Sequence, residues 1–139
     1  MVREKDRSKS RFELSDKALD LAVYTSDILA NEKVFDRKFQ TVIDRIAAEA
    51  TMIYHCIRVA NDIKVLSKEN VRKAEERTRL QREALSNIEP LKTDIMIAHK
   101  LFQLKAKRIR HWNNRIDEIS EMLKGWISSD MKRYKELGM

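Results

Sequence analysis

The stretch FQTVIDRIAAEATMIYHCIRVA, from Phe39 to Ala60, decides the fold class. Phe39, Val42, Ile43, Ile46, Ala47, Ala50, Ile53, Ile57 and Ala60 each have a partner three or four positions away, which stacks them along one side of an α-helix. Asp44, Arg45, Glu49, His55, Arg58 and Asp62 take the other side, so this is an amphipathic helix with an apolar stripe to bury. It should end near residues 62–66, with Ser67 as the N-cap of the next helix.

The same period extends in both directions. Upstream, Leu14, Ala18, Leu21, Thr25, Ile28 and Leu29 predict a first helix over residues 14–31, with Leu19, Ala22 and Val23 widening its stripe. Residues 31–36 break the pattern and supply a connection. Downstream, a third helix is expected over residues 68–101. Its first half is nearly all charged, with apolar contact only from Val71, Ala74, Leu80, Ala84 and Leu85, and its second half buries Ile88, Leu91, Ile95, Ala98 and Phe102. Pro90 lacks a backbone donor and clashes with the carbonyl four residues back, which predicts a kink, or alternatively a break into two helices. A fourth helix over residues 106–127 carries Ile109, Trp112, Ile116, Ile119, Leu123 and Trp126, a narrow heptad seam suited to near-parallel packing.

These stripes are best buried in an all-α, antiparallel up-down-up-down four-helix bundle over residues 14–127. A three-helix core with a protruding third helix is the alternative. Residues 1–13, with Arg3, Lys5, Arg7, Lys9 and Arg11 at every second position, read as a flexible basic arm. That arm is either a strand laid along phosphate or a solvated terminus. Residues 128–139 read as a polar tail. The 139 residues fit one domain, and two Gly and one Pro are too few for the turns of a sheet protein.

Chemistry is sparse. No Glu is followed by His three residues later, and His55, His99 and His111 fall on different helices, so no metal site is expected. Cys56 is the only cysteine, which excludes an intramolecular disulfide, and its place beside Ile57 reads as a small buried filler. There is no Gly-rich phosphate loop, no Gly-x-Ser-x-Gly elbow and no His-Glu-x-x-His. The expectation is therefore no enzyme, no cofactor and no catalytic residue. The N-terminus carries no signal-peptide pattern and no apolar run could span a bilayer, so a cytoplasmic protein without a membrane partner is expected.

Charge is the informative feature. The formal net charge is +7, which attracts polyanions. Between Asp94 and Asp117 no acid occurs, while Lys100, Lys105, Lys107, Arg108, Arg110 and Arg115 do, together with His99 and His111. Bases near a helix start oppose the macrodipole, so something other than helix stability favours them there. A second cluster, Arg72, Lys73, Arg77, Arg79 and Arg82, is diluted by Glu75, Glu76 and Glu83 and reads also as a solvated, ion-paired face. From both clusters Lys100, Lys105, Lys107, Arg108, Arg110, Arg115, Arg72, Lys73, Arg77 and Arg79 are the candidate nucleic-acid contacts. Trp112 and Trp126 lie in the seam, where they serve packing, so backbone and shape recognition is expected in place of base reading.

Several segments together resemble a known superfamily. They are Lys17-Ala18-Leu19-Asp20-Leu21-Ala22-Val23-Tyr24-Thr25, Phe35-Asp36-Arg37-Lys38-Phe39, Leu80-Gln81-Arg82-Glu83-Ala84-Leu85, Ala98-His99-Lys100-Leu101, and the run from Ile116 through Leu123-Lys124-Gly125-Trp126-Ile127. In this order they resemble the four-helix-bundle superfamily that holds the accessory variability determinant (Avd-like) proteins of diversity-generating retroelements and the ribosomal-RNA intervening-sequence proteins. The resemblance implies a basic bundle that assembles as a homo-oligomer, a pentameric ring. It implies no active site of its own, and partners in a reverse transcriptase and its template RNA, or a DNA/RNA hybrid, whose copying becomes mutagenic. The intervening-sequence type is the alternative within the superfamily, and a helical oligomerisation scaffold without a nucleic-acid role is the alternative outside it. Pro90 and the length of the basic arm depart from the pattern, so the candidate contacts rest on charge clustering alone.

Overall fold

The computed structural model describes the chain from residue 4 to residue 139, with side chains from Glu13 onward. Residues 1–3 of the expected arm, and the side chains of the rest of it up to residue 12, lie outside the described residues. Among the described residues every regular element is helical: α1 (Glu4–Leu29), α2 (Gln40–Asp62), α3 (Val71–Ser86), α4 (Ile88–Leu101) and α5 (Ala106–Glu136). One-turn 3-10 helices at Arg37–Phe39 and Lys68–Asn70 lead into α2 and α3.

Two boundaries differ from the expectation. Helix α1 starts at Glu4, so residues 4–13 are its first turns and not a separate arm; Glu, Lys and Arg are good helix formers even without an apolar period. Helix α5 continues to Glu136, through the segment expected to be a polar tail, and buries Ile127, Asp130 and Tyr134. The seam runs on past Trp126, but a polar residue stands in it. The expected third helix is interrupted at Asn87, three residues before Pro90, where the proline ring crowds the preceding turn. Asn87 keeps right-handed helical angles, so α3 and α4 follow one another nearly end to end.

Helix α2 packs against α1, α3 and α4, and α5 packs against the same three. Leu14, Ala18, Leu21, Ile46, Ile53, Ile57, Leu91, Ile95, Ile116, Ile119 and Leu123 meet in one core, each large aliphatic side chain contributing about 2 kcal/mol by leaving water. Leu19 and Val23, expected to widen the α1 stripe, are exposed instead, because their register places them away from both α2 and α5. Trp112 is fully buried and its Nε1 donates to Thr25 Oγ1 at 3.0 Å, joining α5 to α1. Cross-helix ion pairs add Lys17 to Glu118 at 2.7 Å, Arg45 to Asp94 at 3.1 Å and Lys92 to Asp117 at 2.7 Å.

At the far end of α5 the core is polar. Arg77 is 1% exposed. Its Nε and Nη2 donate to the two carboxylate oxygens of Asp130 at 2.7 and 3.1 Å, and its Nη1 donates to the Ile63 carbonyl at 3.0 Å. Gln81 Nε2 donates to Asp130 at 2.8 Å, and the Arg77 guanidinium stands 5.0 Å from the centroid of Trp126. This fork ties α3, α5 and the chain leaving α2 together. Replacing Asp130 by Asn should strand a buried cation and cost about 3–5 kcal/mol, against less than about 1 kcal/mol for Asp117→Asn in the exposed Lys92 pair. Urea denaturation of the two variants measures that contrast.

Candidate nucleic-acid interface

The corner between α4 and α5 is built from a helix stop and an aromatic floor. Phe102 N–H donates to the Ala98 carbonyl at 2.9 Å and Leu104 N–H to the His99 carbonyl at 3.2 Å, closing the last turn of α4. The intervening Gln103 takes a left-handed conformation with φ 51°. Leu104 is buried, and Phe102 packs on Phe35 and Phe39 with ring centroids 4.8 and 5.6 Å away. With Leu104, Ile109 and Trp112 turned inward, the polar positions between them must face water.

Lys100, Lys105, Lys107, Arg108 and Arg110 are accordingly all exposed, and among the described residues none of them is in an ion pair. Lys107 and Arg108 stand in the first turn of α5, which holds no acid, beside the positive end of the helix dipole. The corner thus carries positive charge that the protein does not neutralise.

Further along α5, Arg115 stands over Tyr24 of α1, its guanidinium carbon 4.0 Å from the ring centroid. Arg115 lines an open cleft of about 300 Å³ with Lys17, Asp20, His111, Asn114 and Glu118. The Lys17–Glu118 pair forms part of its wall, and hydrogen bonding to Glu118 holds the Lys17 ammonium above its ordinary pKa.

The second cluster does not assemble as expected. Arg72 and Lys73 are exposed, but Arg77 is a core residue bound to Asp130 and cannot meet a phosphate. It falls on the line Ala74, Gln81, Ala84, so the packed side of α3 carries it inward. Arg79 is exposed but held by Glu76 at 2.7 Å and Glu83 at 3.0 Å, and the hydrogen bond to Glu76, with both acidic charges, raises its pKa. This stretch is the ion-paired face.

Sequence reasoning missed the cleft and the buried polar groups. Asp94, Gln81, Arg77 and Asp130 occupy stripe positions, and a polar residue in register with an apolar stripe was the available signal. Cys56 is buried, and that burial, with Glu83 nearby, pushes its thiol pKa up, which disfavours the nucleophilic thiolate. Among the described residues no three His, Cys, Asp or Glu side chains gather to hold a metal ion, and no helix is long and apolar enough to cross a membrane.

Comparison with known proteins adds no relative. No family model matches the chain, and neither a curated protein nor a solved structure matches it.

One carboxyl is strongly perturbed, and it lies between α2 and α4, on other elements than the cleft. Both Glu49 oxygens are shielded from solvent without a donor, and burial, followed by the facing Asp94 carboxylate, pushes the Glu49 pKa up to about 8. Desolvation opposes ionisation of Asp94 as well, yet hydrogen bonds from Glu49 and Arg45 hold it below the ordinary range. Glu49 therefore keeps its proton at neutral pH. A carboxyl raised on folding stabilises the fold below its unfolded pKa and loses that contribution as pH rises through the folded value. Thermal melts should show wild-type stability falling between pH 5 and about pH 8, with Glu49→Gln flattening the fall and melting above wild type at pH 9.

Proposed function

We propose that this chain is a non-enzymatic RNA-binding accessory protein of a diversity-generating retroelement, which holds template RNA beside a reverse transcriptase in the cytoplasm. The observation that carries the reading is the α4–α5 corner, where five exposed bases stand without acidic partners among the described residues. A surface that only solubilised the protein would not need bases against the helix dipole, and the ion-paired face of α3 is what such a surface looks like. Release of counterions from phosphate is the reward such a corner can collect.

The architecture assigned to it is the antiparallel up-down-up-down bundle. Along α1 and α5, Thr25 meets Trp112 and Lys17 meets Glu118, so the pairs run in opposite senses. Ile63 with Arg77 and Arg45 with Asp94 oppose α2 to the α3–α4 rod; Arg77 with Asp130 and Lys92 with Asp117 oppose that rod to α5. A homo-oligomer, the pentameric ring of the resemblance, would use the apolar side chains left exposed on α1 and α4, namely Leu19, Val23, Met96, Ile97 and Leu101. Light scattering should give a mass several times that of one chain, and a strict monomer removes the ring.

The corner is tested by charge reversal. The triple variant Lys107→Glu, Arg108→Glu, Arg110→Glu should lose RNA affinity, and its log–log salt slope should fall by about 2, at roughly 0.7 per single-strand phosphate contact. Its melting temperature should hold or rise, because Glu in the first turn of α5 suits the dipole. Unchanged affinity would remove the corner from the site. Recovery of the tagged protein from its host at low salt tests the retroelement role: a reverse transcriptase with one structured RNA supports it, whereas ribosomal precursors favour the intervening-sequence type.

A further inference from the structure

The cleft between α1 and α5 has a composition that phosphate binding does not explain. Asp20 and Glu118 stand in it with Lys17, His111, Asn114 and Arg115. Two carboxylates repel a bare phosphate. Glu118 is engaged by Lys17, but among the described residues Asp20 is exposed and in no hydrogen bond or ion pair. A carboxylate without a hydrogen bond, beside four cationic or polar side chains and close enough to Lys17 for their charges to interact, suits an occupant that brings hydrogen-bond donors and a flat body.

The flat body has a seat. The guanidinium of Arg115 is held over Tyr24 at 4.0 Å, and Tyr24 is itself braced edge-on by Trp112 with centroids 6.5 Å apart. A guanidinium held against a ring in this way can offer its other face to an unpaired base, one of the modes by which single-stranded RNA is read. The volume of about 300 Å³ is at the small end for ligand sites, which run from about 300 to 1,000 Å³. It suits one nucleoside.

We propose that this cleft seats one unpaired guanine of the bound RNA, stacked on Arg115 and read at its Watson–Crick edge by Asp20. Guanine alone among the four bases presents two adjacent donors, N1–H and the N2 amine, to one carboxylate. Uracil offers one donor flanked by acceptors, and the amine of adenine or cytosine stands beside a ring acceptor that a carboxylate repels. Lys107, His111 and Arg115 follow at intervals of four along α5, so a strand whose phosphates lie on the corner continues directly to the cleft. The inference rests on the RNA-binding reading above and adds base selection to it.

The test uses the intact protein and two labelled single-stranded RNAs, one all uridine and one with a single central guanosine, titrated by fluorescence anisotropy at one salt concentration. The guanosine-bearing RNA should bind about tenfold tighter, the value of one good bidentate contact. Inosine, which lacks the N2 amine, should lose most of that preference. Asp20→Asn should bring the two RNAs to within about twofold of each other, and Arg115→Lys, which keeps the charge but not the plane, should shrink the preference as well. Asp20 is exposed, so Asp20→Asn should melt like wild type. Equal binding of the two RNAs by wild type overturns the guanine seat and leaves the basic corner standing. A preference that survives Asp20→Asn overturns the role given to Asp20. Failure of both RNAs to bind overturns the RNA reading and the seat together.

Discussion

Arg77 and Asp130 put two charges into the core of a small helical protein. Each ion loses several kcal/mol of hydration there, and only good geometry recovers it. The geometry is demanding: a two-pronged fork, a third bond to the Ile63 carbonyl and a Gln81 amide on the same carboxylate. Apolar seams tolerate sliding by a turn, because one Ile replaces another. This fork does not, so it fixes the register of α3 on α5 and closes the chain leaving α2 against both. Arg133 extends the lock by donating to the Val65 carbonyl at 2.6 Å. Everything placed along α5, including the basic corner at its other end, inherits that register.

That dependence explains which parts of the molecule were legible in its sequence. The α2 stripe and the α5 seam are local periodicities, and helices stand over both; Pro90 announced a kink or, as the alternative, the break that separates α3 from α4. On the inward side of α3, Ala74, Leu80 and Ala84 were legible and are buried, but Arg77 and Gln81 were not, because a hydrophobic period cannot count them. The end of α5 was missed for the same reason: Asp130 interrupts the seam in type but not in register. In both cases the polar residue is buried because its partner is some fifty positions away in sequence, and a period scan sees no such distance. The corner bases were legible because they need nothing but exposure. The cleft was not, since Asp20 and Tyr24 belong to α1 and meet His111, Asn114 and Arg115 only through packing.

The two ends of α5 treat charge in opposite ways. At the Asp130 end the buried charges, Arg77 and Asp130, are matched by geometry and contribute to one rigid arrangement. At the Lys105 end bases crowd a helix start without acids, which costs stability through the dipole and mutual repulsion. A helix of 31 residues spans about 45 Å at 1.5 Å per residue, several times the screening length near physiological salt, so the ends do not offset one another. The strain of the corner is borne by apolar anchors beneath it: Leu104, the three Phe rings and Trp112. Stability is drawn from the core and the fork, and on the proposed reading the corner is left to favour a polyanion.

On the proposed reading, corner and cleft divide recognition by their response to salt. Exposed bases owe their attraction to counterion release, which weakens steeply as salt rises and is blind to sequence. A base stacked on Arg115 and bonded to Asp20 gains its energy at short range from a flat contact and two hydrogen bonds, which ions screen far less. Raising salt would then remove the indiscriminate part of binding first and leave the selective part. A strand would be gathered by the corner at long range and held in register by the cleft. Lys107 and Arg115 keep a fixed spacing because both stand on α5, while Asp20 is brought to them from α1 by the Thr25–Trp112 bond and the Lys17–Glu118 pair. The distance between phosphate and base contacts is therefore set by the packing of α1 on α5.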